Sequence, residues 1–373
     1  MRKNTPRVCI VGAGAAGLAL AYALSLRGIN SLICDAGMAG QGALSASAGM
    51  IAPAAEMWEM RVRAHPLGRA FAALAHHSAS LWPDWAGRLR AETGMDTGYT
   101  PCGSLLPGNT PAQLQQLAAM GVDAVAWDAG VAQARLPGIN LQGGATFLPG
   151  DAQLSAPWLA RALMAALARR GVDLRENVRV TALKRAGDVW RVTLASGEVV
   201  EADYAVLAAG WTAADLHVAA ADVFPVKGQA VMLDAGNELD WPLVRAGDVY
   251  FAAKPGGRLL VGASVEPGKS DSATDPDAAR MLIDRAAGYL PAIGAMPRLA
   301  HWAGVRPALP GMMPRAGLAE TGLVVALGAY RHGVMLAPAL AEGLAMLIDE
   351  GRADERVVPF APVTVNEGLS SGG

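Results

Sequence analysis

The chain has 373 residues, of which 52% are hydrophobic and 17% charged, with a formal net charge of −2. This length accommodates two domains with sizeable cores, and the balanced charge argues against nucleic acid or an anionic membrane as the main partner. The three cysteines, Cys9, Cys34 and Cys102, fit neither a disulfide framework nor a metal site, so no metal is expected. No apolar run reaches the ~18 residues of a membrane span, and the N-terminus lacks a signal-peptide pattern. We therefore expect a cytoplasmic protein.

The first 35 residues predict a strand, a glycine-rich turn, a helix and a second strand that ends in an acid. In the turn, Gly12 permits the tight bend, Gly14 lets the backbone approach a pyrophosphate, and Gly17 lets the helix pack against the strand. The helix N-terminus offers free N–H groups and a positive dipole end to phosphates. Asp35 can accept hydrogen bonds from a ribose hydroxyl. This pattern predicts dinucleotide binding, without deciding between FAD and NAD.

Apolar and β-branched runs predict the remaining elements. A helix over residues 15–27 is closed by Gly28, at a position where a left-handed residue is often needed. Near the C-terminus we expect a buried strand, a loop and then a helix over about 338–349, with Pro338 in its first turn. Strands are predicted at residues 177–185, 190–194, 199–202, 205–209, 223–233, 249–253, 258–263 and 323–327.

Several of these segments together resemble the D-amino-acid-oxidase-like family of FAD-dependent oxidoreductases, and most closely its glycine oxidase branch. The similarity extends from the N-terminal glycine motif nearly to the C-terminus, so it is specific for the family and much less so for the substrate. The segments that carry it are SASAGMIAP, NVRVTALKR, AVLAAGW, FPVKGQAVML, VYFAAKPGGRLLVGAS, HWAGVRPALPG and ALGAYRHGVMLAP.

The resemblance implies an α/β fold with a Rossmann-type FAD-binding domain and a second, sheet-based α+β substrate domain. The FAD-binding domain would be discontinuous and comprise residues 1–85, 150–215 and 305–365. The substrate domain would comprise residues 86–149 and 216–304. Residues 366–373 are expected to form a disordered tail. A homo-oligomer is left open.

The resemblance also implies that FAD is the cofactor and is bound without a covalent link, since no cysteine falls beside the expected flavin ring. The N-terminus of the C-terminal helix would direct its positive dipole end at the flavin, where it could stabilise the reduced, negatively charged form. The residues that would hold FAD are Gly12, Gly14, Ala16, Gly17, Asp35, Ser45, Ser47, Ala48, Gly49, Met50, Val180, Gly210, Gly328, Gly333 and Val334.

Three residues match the family's substrate site. Arg306 would pair with the substrate carboxylate through two parallel hydrogen bonds. Tyr250 would help hold the same carboxylate, and Arg331 would lie on a loop near flavin and substrate. The implied reaction is the oxidative deamination of glycine or a small D-amino acid, in which hydride passes from the α-carbon to flavin N5. The imine is hydrolysed by water, and oxygen reoxidises the flavin with formation of hydrogen peroxide. No dedicated base is needed.

The sequence departs from the family pattern at three places. Residues 308–313 carry Ala-Leu-Pro-Gly-Met-Met where polar turn residues are usual, so contacts with the cofactor are expected to change there. Asp248 and Ala329 each stand where a histidine is common. An acid at position 248 leads to the hypothesis that the substrate carries an additional positive group.

Two other functions stay open at this stage. One is an amine or amino-acid dehydrogenase that passes electrons to an acceptor other than oxygen, for instance a hydrogen-cyanide-forming glycine dehydrogenase, a sarcosine-type enzyme or a D-amino-acid dehydrogenase. The other is an FAD-binding protein without turnover, for which the altered 308–313 segment is the only support in the sequence.

Overall fold

The computed structural model describes residues 7–141 and 143–362, apart from the side chains of residues 60 and 61. The expected disordered tail, residues 366–373, lies outside the described residues. In chain order the strands are β1 (Val8–Val11), β2 (Ser31–Cys34), β3 (Met50–Ile51), β4 (Ser104–Pro107), β5 (Val125–Trp127), β6 (Ala145–Leu148), β7 (Ala152–Gln153), β8 (Asp173–Arg175), β9 (Val180–Ala186), β10 (Val189–Leu194), β11 (Val199–Ala202), β12 (Tyr204–Leu207), β13 (Phe224–Asp234), β14 (Leu243–Ala246), β15 (Val249–Lys254), β16 (Arg258–Gly262), β17 (Glu266–Pro267), β18 (Arg298–Ala308), β19 (Arg315–Glu320) and β20 (Leu323–Leu327).

The α-helices of the described residues connect and cover these strands. None of them is both long and apolar enough to cross a membrane. In chain order they are α1 (Ala15–Leu26), α2 (Ala43–Ala46), α3 (Pro53–Trp58), α4 (Met60–Arg63), α5 (Gly68–Thr93), α6 (Pro111–Ala119), α7 (Ala129–Arg135), α8 (Ala156–Arg169), α9 (Pro276–Tyr289) and α10 (Gly333–Glu350).

The first sheet has the strand order β19-β20-β12-β1-β2-β8, in which every neighbouring pair except β19–β20 is parallel. Its central strands are buried on both faces, as expected of parallel strands that are continuous apolar runs. Ile10 packs with the helices α1, α5 and α10, whereas Cys9 faces the smaller core beneath the antiparallel strands β9–β11. The carboxyl ends of β1, β2, β12 and β20 therefore meet at one edge of the sheet.

The second sheet is mostly antiparallel, with the order β17-β13-β16-β15-β14-β4-β6-β5 and with β18 paired to the other side of β13. Helix α9 packs on one face of this sheet. On that face lie Val249 and Phe251 of β15 and Val231 and Leu233 of β13. Because side chains alternate along a strand, the residues between them face the other side, toward the first sheet. The α/β fold with a second, sheet-based unit is confirmed, while the exact domain boundaries stay predictions.

Helix α10 begins at Gly333, five residues before the predicted start at Pro338, so the placement of Pro338 in the first turn was wrong. A proline inside a helix lacks the N–H donor that the preceding turn needs and usually bends or breaks the helix. Here two side chains of α5 form hydrogen bonds with backbone groups of α10 on either side of the proline. Ser78 Oγ donates to the carbonyl of Met335 at 2.7 Å and accepts from the N–H of Ala339, and Trp82 Nε1 also donates to Met335 O. The helix N-terminus therefore lies beside the loop at residues 328–332.

Strand β9 begins at Val180 rather than at the predicted residue 177. Asn177 has a φ of +57°, which interrupts extended backbone. Its N–H donates to Gly37 O, and the N–H of Val178 donates to Asp35 O. These two residues are thus joined to the loop that follows β2 and not to the antiparallel sheet.

Candidate active site

A cavity of about 760 Å³ extends from the carboxyl edge of the first sheet to the face of the second sheet that is turned away from α9. Ligands of open α/β folds bind at this edge, and the volume lies within the range of cofactor and ligand pockets. One end is lined by the glycine-rich turn after β1, and the other by residues of β15 and β18. Both predicted sites, for the cofactor and for the substrate, therefore lie in one continuous space.

The turn after β1 has the shape that a dinucleotide needs. Gly12 has a φ of +109°, and a Cβ atom there would overlap the carbonyl of Ala208. Asp35 holds the turn, because its Oδ2 accepts from the N–H of Ala13 at 2.7 Å and its Oδ1 accepts from Gly37 at 2.8 Å. The N-cap of α1 is Gly14, which has no side chain to cap the helix, so the first N–H groups are open to a phosphate.

The predicted cofactor residues fall into two groups. Gly17, Ser45 and Gly49 are not among the residues that line the cavity, and Val180 lines a small adjoining pocket beside Asp35. Ser45 Oγ donates to the carbonyl of Gln41 and does not point into the cavity. The cofactor-binding roles of these four residues, like those of the lining residues named next, stay predictions. The others line the cavity itself: Gly12, Gly14, Ala16, Asp35, Ser47, Ala48, Met50, Gly210, Gly328, Gly333 and Val334.

The polar side chains at the substrate end reach the cavity because small residues stand opposite them on the second sheet. Arg306 of β18 lies over Gly228 of β13, where a Cβ atom would overlap the guanidinium group. Tyr250 of β15 is paired with Gly262 of β16, where a Cβ atom would lie 2.5 Å from the tyrosine hydroxyl. The alternation that sends Val249 to the core sends Tyr250 to the cavity.

Arg306 makes no ion pair with a carboxylate of the described residues. Its Nη1 donates to two backbone carbonyls, that of Ser264 at 3.2 Å and that of Lys227 at 3.5 Å, and its guanidinium carbon lies 5.9 Å from the ring centroid of Tyr330. Most of the donors of its fork are therefore available to a ligand. A carboxylate, which accepts two parallel hydrogen bonds from such a fork, fits this position.

Tyr250 is buried among positive charges. Burial raises the pKa of its hydroxyl above the ordinary value. The guanidinium groups of Arg306, Arg245 and Arg331 oppose this shift, so all three lie within electrostatic range of the hydroxyl. The neutral hydroxyl is thus kept as a hydrogen-bond donor beside the place where an anion would bind.

Arg331 lines the cavity, but it is held by two acids that sequence reasoning missed. It donates to Glu56 Oε2 at 2.8 Å and lies 3.3 Å from Glu59 Oε1. Arg245 of β14 donates to the same pair, to Glu56 at 2.7 Å and to Glu59 at 3.0 Å. His332 Nε2 lies 2.9 Å from Glu56 Oε2. The only signal for this cluster in the sequence is a pair of acids in the otherwise apolar stretch of residues 51–60.

Glu56 is the centre of this cluster and is 4% exposed. Burial alone would raise the pKa of its carboxyl, yet Arg245, Arg331 and His332 together outweigh burial and hold the pKa well below its ordinary range. The carboxylate is therefore ionised and compensated. It joins α3, β14 and the loop before α10, which carries Arg331.

Lys254, at the end of β15, is a second buried charge that sequence reasoning missed. Its Nζ donates to the carbonyls of Ala48 and Leu154 at 2.6 and 3.0 Å and to Gln153 Oε1 at 2.8 Å. Burial lowers its pKa to about 7. These bonds fasten the second sheet to the small-residue segment that lines the middle of the cavity, so the position of Ala48 depends on both sheets.

The departures from the family pattern have different consequences. Residues 308–313 do not line the cavity. Leu309 and Met313 are buried in the protein core, so the apolar substitutions replace polar turn residues without changing the lining. Ala329 does line the cavity. Asp248 lies on the rim and is paired with Arg285, so its charge is compensated and gives little support to a substrate with an additional positive group.

Similarities to known proteins agree with this geometry. A family model described as FAD dependent oxidoreductase (DAO) matches residues 7–347. The glycine oxidase of Geobacillus kaustophilus is 33% identical over 370 residues, which is 95% of this chain and 96% of the relative. The glycine oxidase of Pseudomonas aeruginosa is 32% identical over 368 residues, which is 95% of this chain and 98% of the relative.

The fold is likewise similar to a solved relative. The crystal structure of glycine oxidase from Geobacillus kaustophilus superposes with a TM-score of 0.87 at 32% identity and covers 96% of this chain and 98% of that one. The predicted resemblance is thereby confirmed. Three features suit FAD: the turn after β1, the open N-terminus of α1, and Asp35, which is held in place by the N–H of Ala13. The chain therefore belongs to the DAO family of FAD-dependent oxidoreductases, and FAD is its cofactor.

Proposed function

We propose that this chain oxidises a small amino acid with one carboxylate, glycine or a small D-amino acid, to the imine and hence to the keto acid and ammonia. Oxygen is the proposed acceptor and hydrogen peroxide the second product. The observation that carries the proposal is Arg306, whose guanidinium group has no carboxylate partner among the described residues and lies with the buried Tyr250 hydroxyl in the cavity that suits FAD. The similarity to glycine oxidases along 95% of the chain supports the same reaction class.

The proposed roles of the side chains follow from their positions. Arg306 binds the substrate carboxylate through its fork, and Tyr250 donates a further hydrogen bond to it. Holding the carboxylate at this end fixes the direction of the α-carbon, which lowers the entropic barrier. Arg331, which donates to Glu56, forms the cavity wall on the side of α10. When bound, FAD supplies the two-electron acceptor for oxidation of the carbon–nitrogen bond.

The test is anaerobic mixing of the purified holoprotein with glycine, sarcosine and a panel of D-amino acids. We expect the visible flavin absorption to bleach with at least one of them, and admission of air to restore it with release of peroxide. Arg306→Leu holoprotein is the control and should bleach poorly at the same concentrations. Bleaching that air does not reverse would indicate a dehydrogenase with another acceptor. No bleaching in any case would contradict amino-acid oxidation.

A further inference from the structure

The arginine side chains at the substrate end of the cavity differ in how far carboxylates compensate their charge. Arg245, Arg306 and Arg331 all line this end of the cavity. Arg245 and Arg331 each contact both Glu56 and Glu59, at distances between 2.7 and 3.3 Å. Each of these two guanidinium groups thus has two carboxylate partners, and Glu56 also contacts His332. Arg306 has no carboxylate partner among the described residues; its Nη1 donates to backbone carbonyls, and its guanidinium group lies over the ring of Tyr330.

The two acids differ in position. Glu56 is buried behind the wall, whereas Glu59 lines the cavity and its side chain is 35% exposed. Glu59 is therefore the carboxylate that a ligand meets. Its removal would free the Nη2 donor of Arg245 and remove an ion-pair contact of Arg331, while both guanidinium groups would remain paired with Glu56. A neutral residue at this position leaves no buried charge without a partner, so the fold should tolerate it.

We propose that Glu59 makes the site selective for monocarboxylates by occupying a donor of Arg245 and compensating the charge of Arg331, both of which would otherwise bind a second carboxylate. This inference rests on the proposed function, in which Arg306 holds the first carboxylate. A ligand with a second carboxylate meets the negative charge of Glu59 in a partly dehydrated cavity, where repulsion between like charges is stronger than in water. Specificity then comes from an unfavourable contact with the wrong ligand as well as from a favourable contact with the right one.

The experiment compares the binding of two unreactive anions, acetate and malonate, to holoprotein by titrating the change in flavin absorption. We expect Glu59→Gln to tighten malonate binding at least about tenfold relative to wild type, because a charge repulsion is replaced by an available donor of Arg245 and a less compensated Arg331. The dissociation constant for acetate should change by less than about threefold, because Arg306 is untouched. Glu59→Asp, which keeps the charge, should retain the wild-type ratio of the two constants.

Asp248→Asn is the matched control. It removes one negative charge from the rim of the same cavity but leaves Arg245 and Arg331 paired with their acids. Its ratio of acetate to malonate affinity should equal that of wild type. Glu59→Ala provides a second neutral variant with the same expected gain.

The outcomes separate this inference from the proposed function. An unchanged ratio in both Glu59→Gln and Glu59→Ala, with acetate still bound, overturns the role of Glu59 alone. An equal gain for malonate in Asp248→Asn also overturns it, because the effect would then be one of total charge. If wild-type holoprotein binds neither anion, the carboxylate site at Arg306 is wrong and the inference falls with it.

Discussion

At the scale of single residues, the site depends on which charges are compensated. Arg306 and Arg331 have the same chemistry, but Arg331 is tied to Glu56 whereas Arg306 donates only to backbone carbonyls in the described structure. An arginine with available donors binds an anion, and one already paired mainly shapes the site. The family motif identifies both arginines without separating these two situations.

We expect Arg306→Leu to lower kcat/KM for the best amino-acid substrate about 100-fold or more, because two charge-assisted hydrogen bonds to the carboxylate are lost. Most of the effect should appear as a higher KM, since the carboxylate is bound in the ground state as well. Steady-state kinetics with a peroxide assay provides the measurement. Arg298→Leu, at the exposed start of the same strand, is the control and should leave both constants near those of wild type. An unchanged KM for Arg306→Leu would contradict the assignment.

We expect Glu56→Gln to lower the free energy of unfolding at pH 7 by about 3 kcal/mol, because it leaves Arg245 and Arg331 partly uncompensated in a buried place. The pKa of Glu56 is depressed in the folded state. Its contribution is therefore present above the ordinary glutamate pKa and is lost as the pH falls, so the difference between variant and wild type should shrink below about pH 4.

Urea unfolding at a series of pH values measures this difference. Glu59→Gln is the control, with an expected loss of about 1 kcal/mol or less, because its carboxylate is 35% exposed and solvent screens the charge. A difference for Glu56→Gln that does not depend on pH would show that the cluster contributes through packing and not through charge.

At the scale of elements, the N-termini of the long helices α1 and α10 both face the cavity. The start of α1 follows from local sequence, since its glycine spacing is complete within six residues. The start of α10 does not, because Pro338 signals a first turn while the helix begins at Gly333. The proline is accommodated by Ser78 and Trp82 of α5, and no local pattern contains these partners.

Two glycines of the motif at residues 12–17 should give opposite results when changed to alanine. A Cβ atom at Gly17 would overlap the carbonyl of Gly12, so Gly17→Ala should destabilise the apoprotein by at least about 1 kcal/mol. A Cβ atom at Gly14 would meet no protein atom within 4 Å, but it would enter the cavity. Gly14→Ala should therefore leave the apoprotein's Tm nearly unchanged and weaken FAD binding about tenfold. Thermal unfolding without FAD and fluorescence titration with FAD distinguish the two, and an equal loss of apoprotein stability in both variants would contradict this geometry.

At the scale of the whole molecule, the cavity is bounded by both sheets, and buried side chains cross from one to the other. Lys254 of β15 holds the carbonyls of Ala48 and Leu154, and Arg245 of β14 binds Glu56 of α3. A cofactor in this space therefore contacts parts of the chain that are far apart in sequence. Its binding should strengthen the association of the two sheets.

We expect FAD to raise the Tm of the protein, because it binds the folded state and not the unfolded chain. At a free FAD concentration 100 times the dissociation constant, the added free energy of unfolding is about 2.7 kcal/mol. Scanning calorimetry of the apoprotein at increasing FAD concentration measures this. Riboflavin, which lacks the diphosphate, is the control and should have a much smaller effect. A Tm that does not depend on FAD concentration would contradict binding in this cavity.

The sequence by itself determined what depends on near neighbours in the chain. The turn from Gly12 to Gly17, the acid at the end of β2, and the alternation that directs Tyr250 away from the core are each encoded within a few residues, because strand and helix periods and glycine conformations are local. The resemblance to a family added Arg306 and Arg331 and the expectation of FAD, and the family is confirmed.

Only the tertiary structure decided how the charges are paired and that α10 begins at Gly333, beside the cavity. Glu56 meets Arg245 and Arg331 across 189 and 275 positions of the chain, and Lys254 meets Ala48 across 206. Ion pairs of this kind depend on the packing of distant elements, and no periodicity in the sequence records them. The selectivity that we infer for Glu59 belongs to this second class, because it follows from which guanidinium groups have carboxylate partners among the described residues and which one has none there.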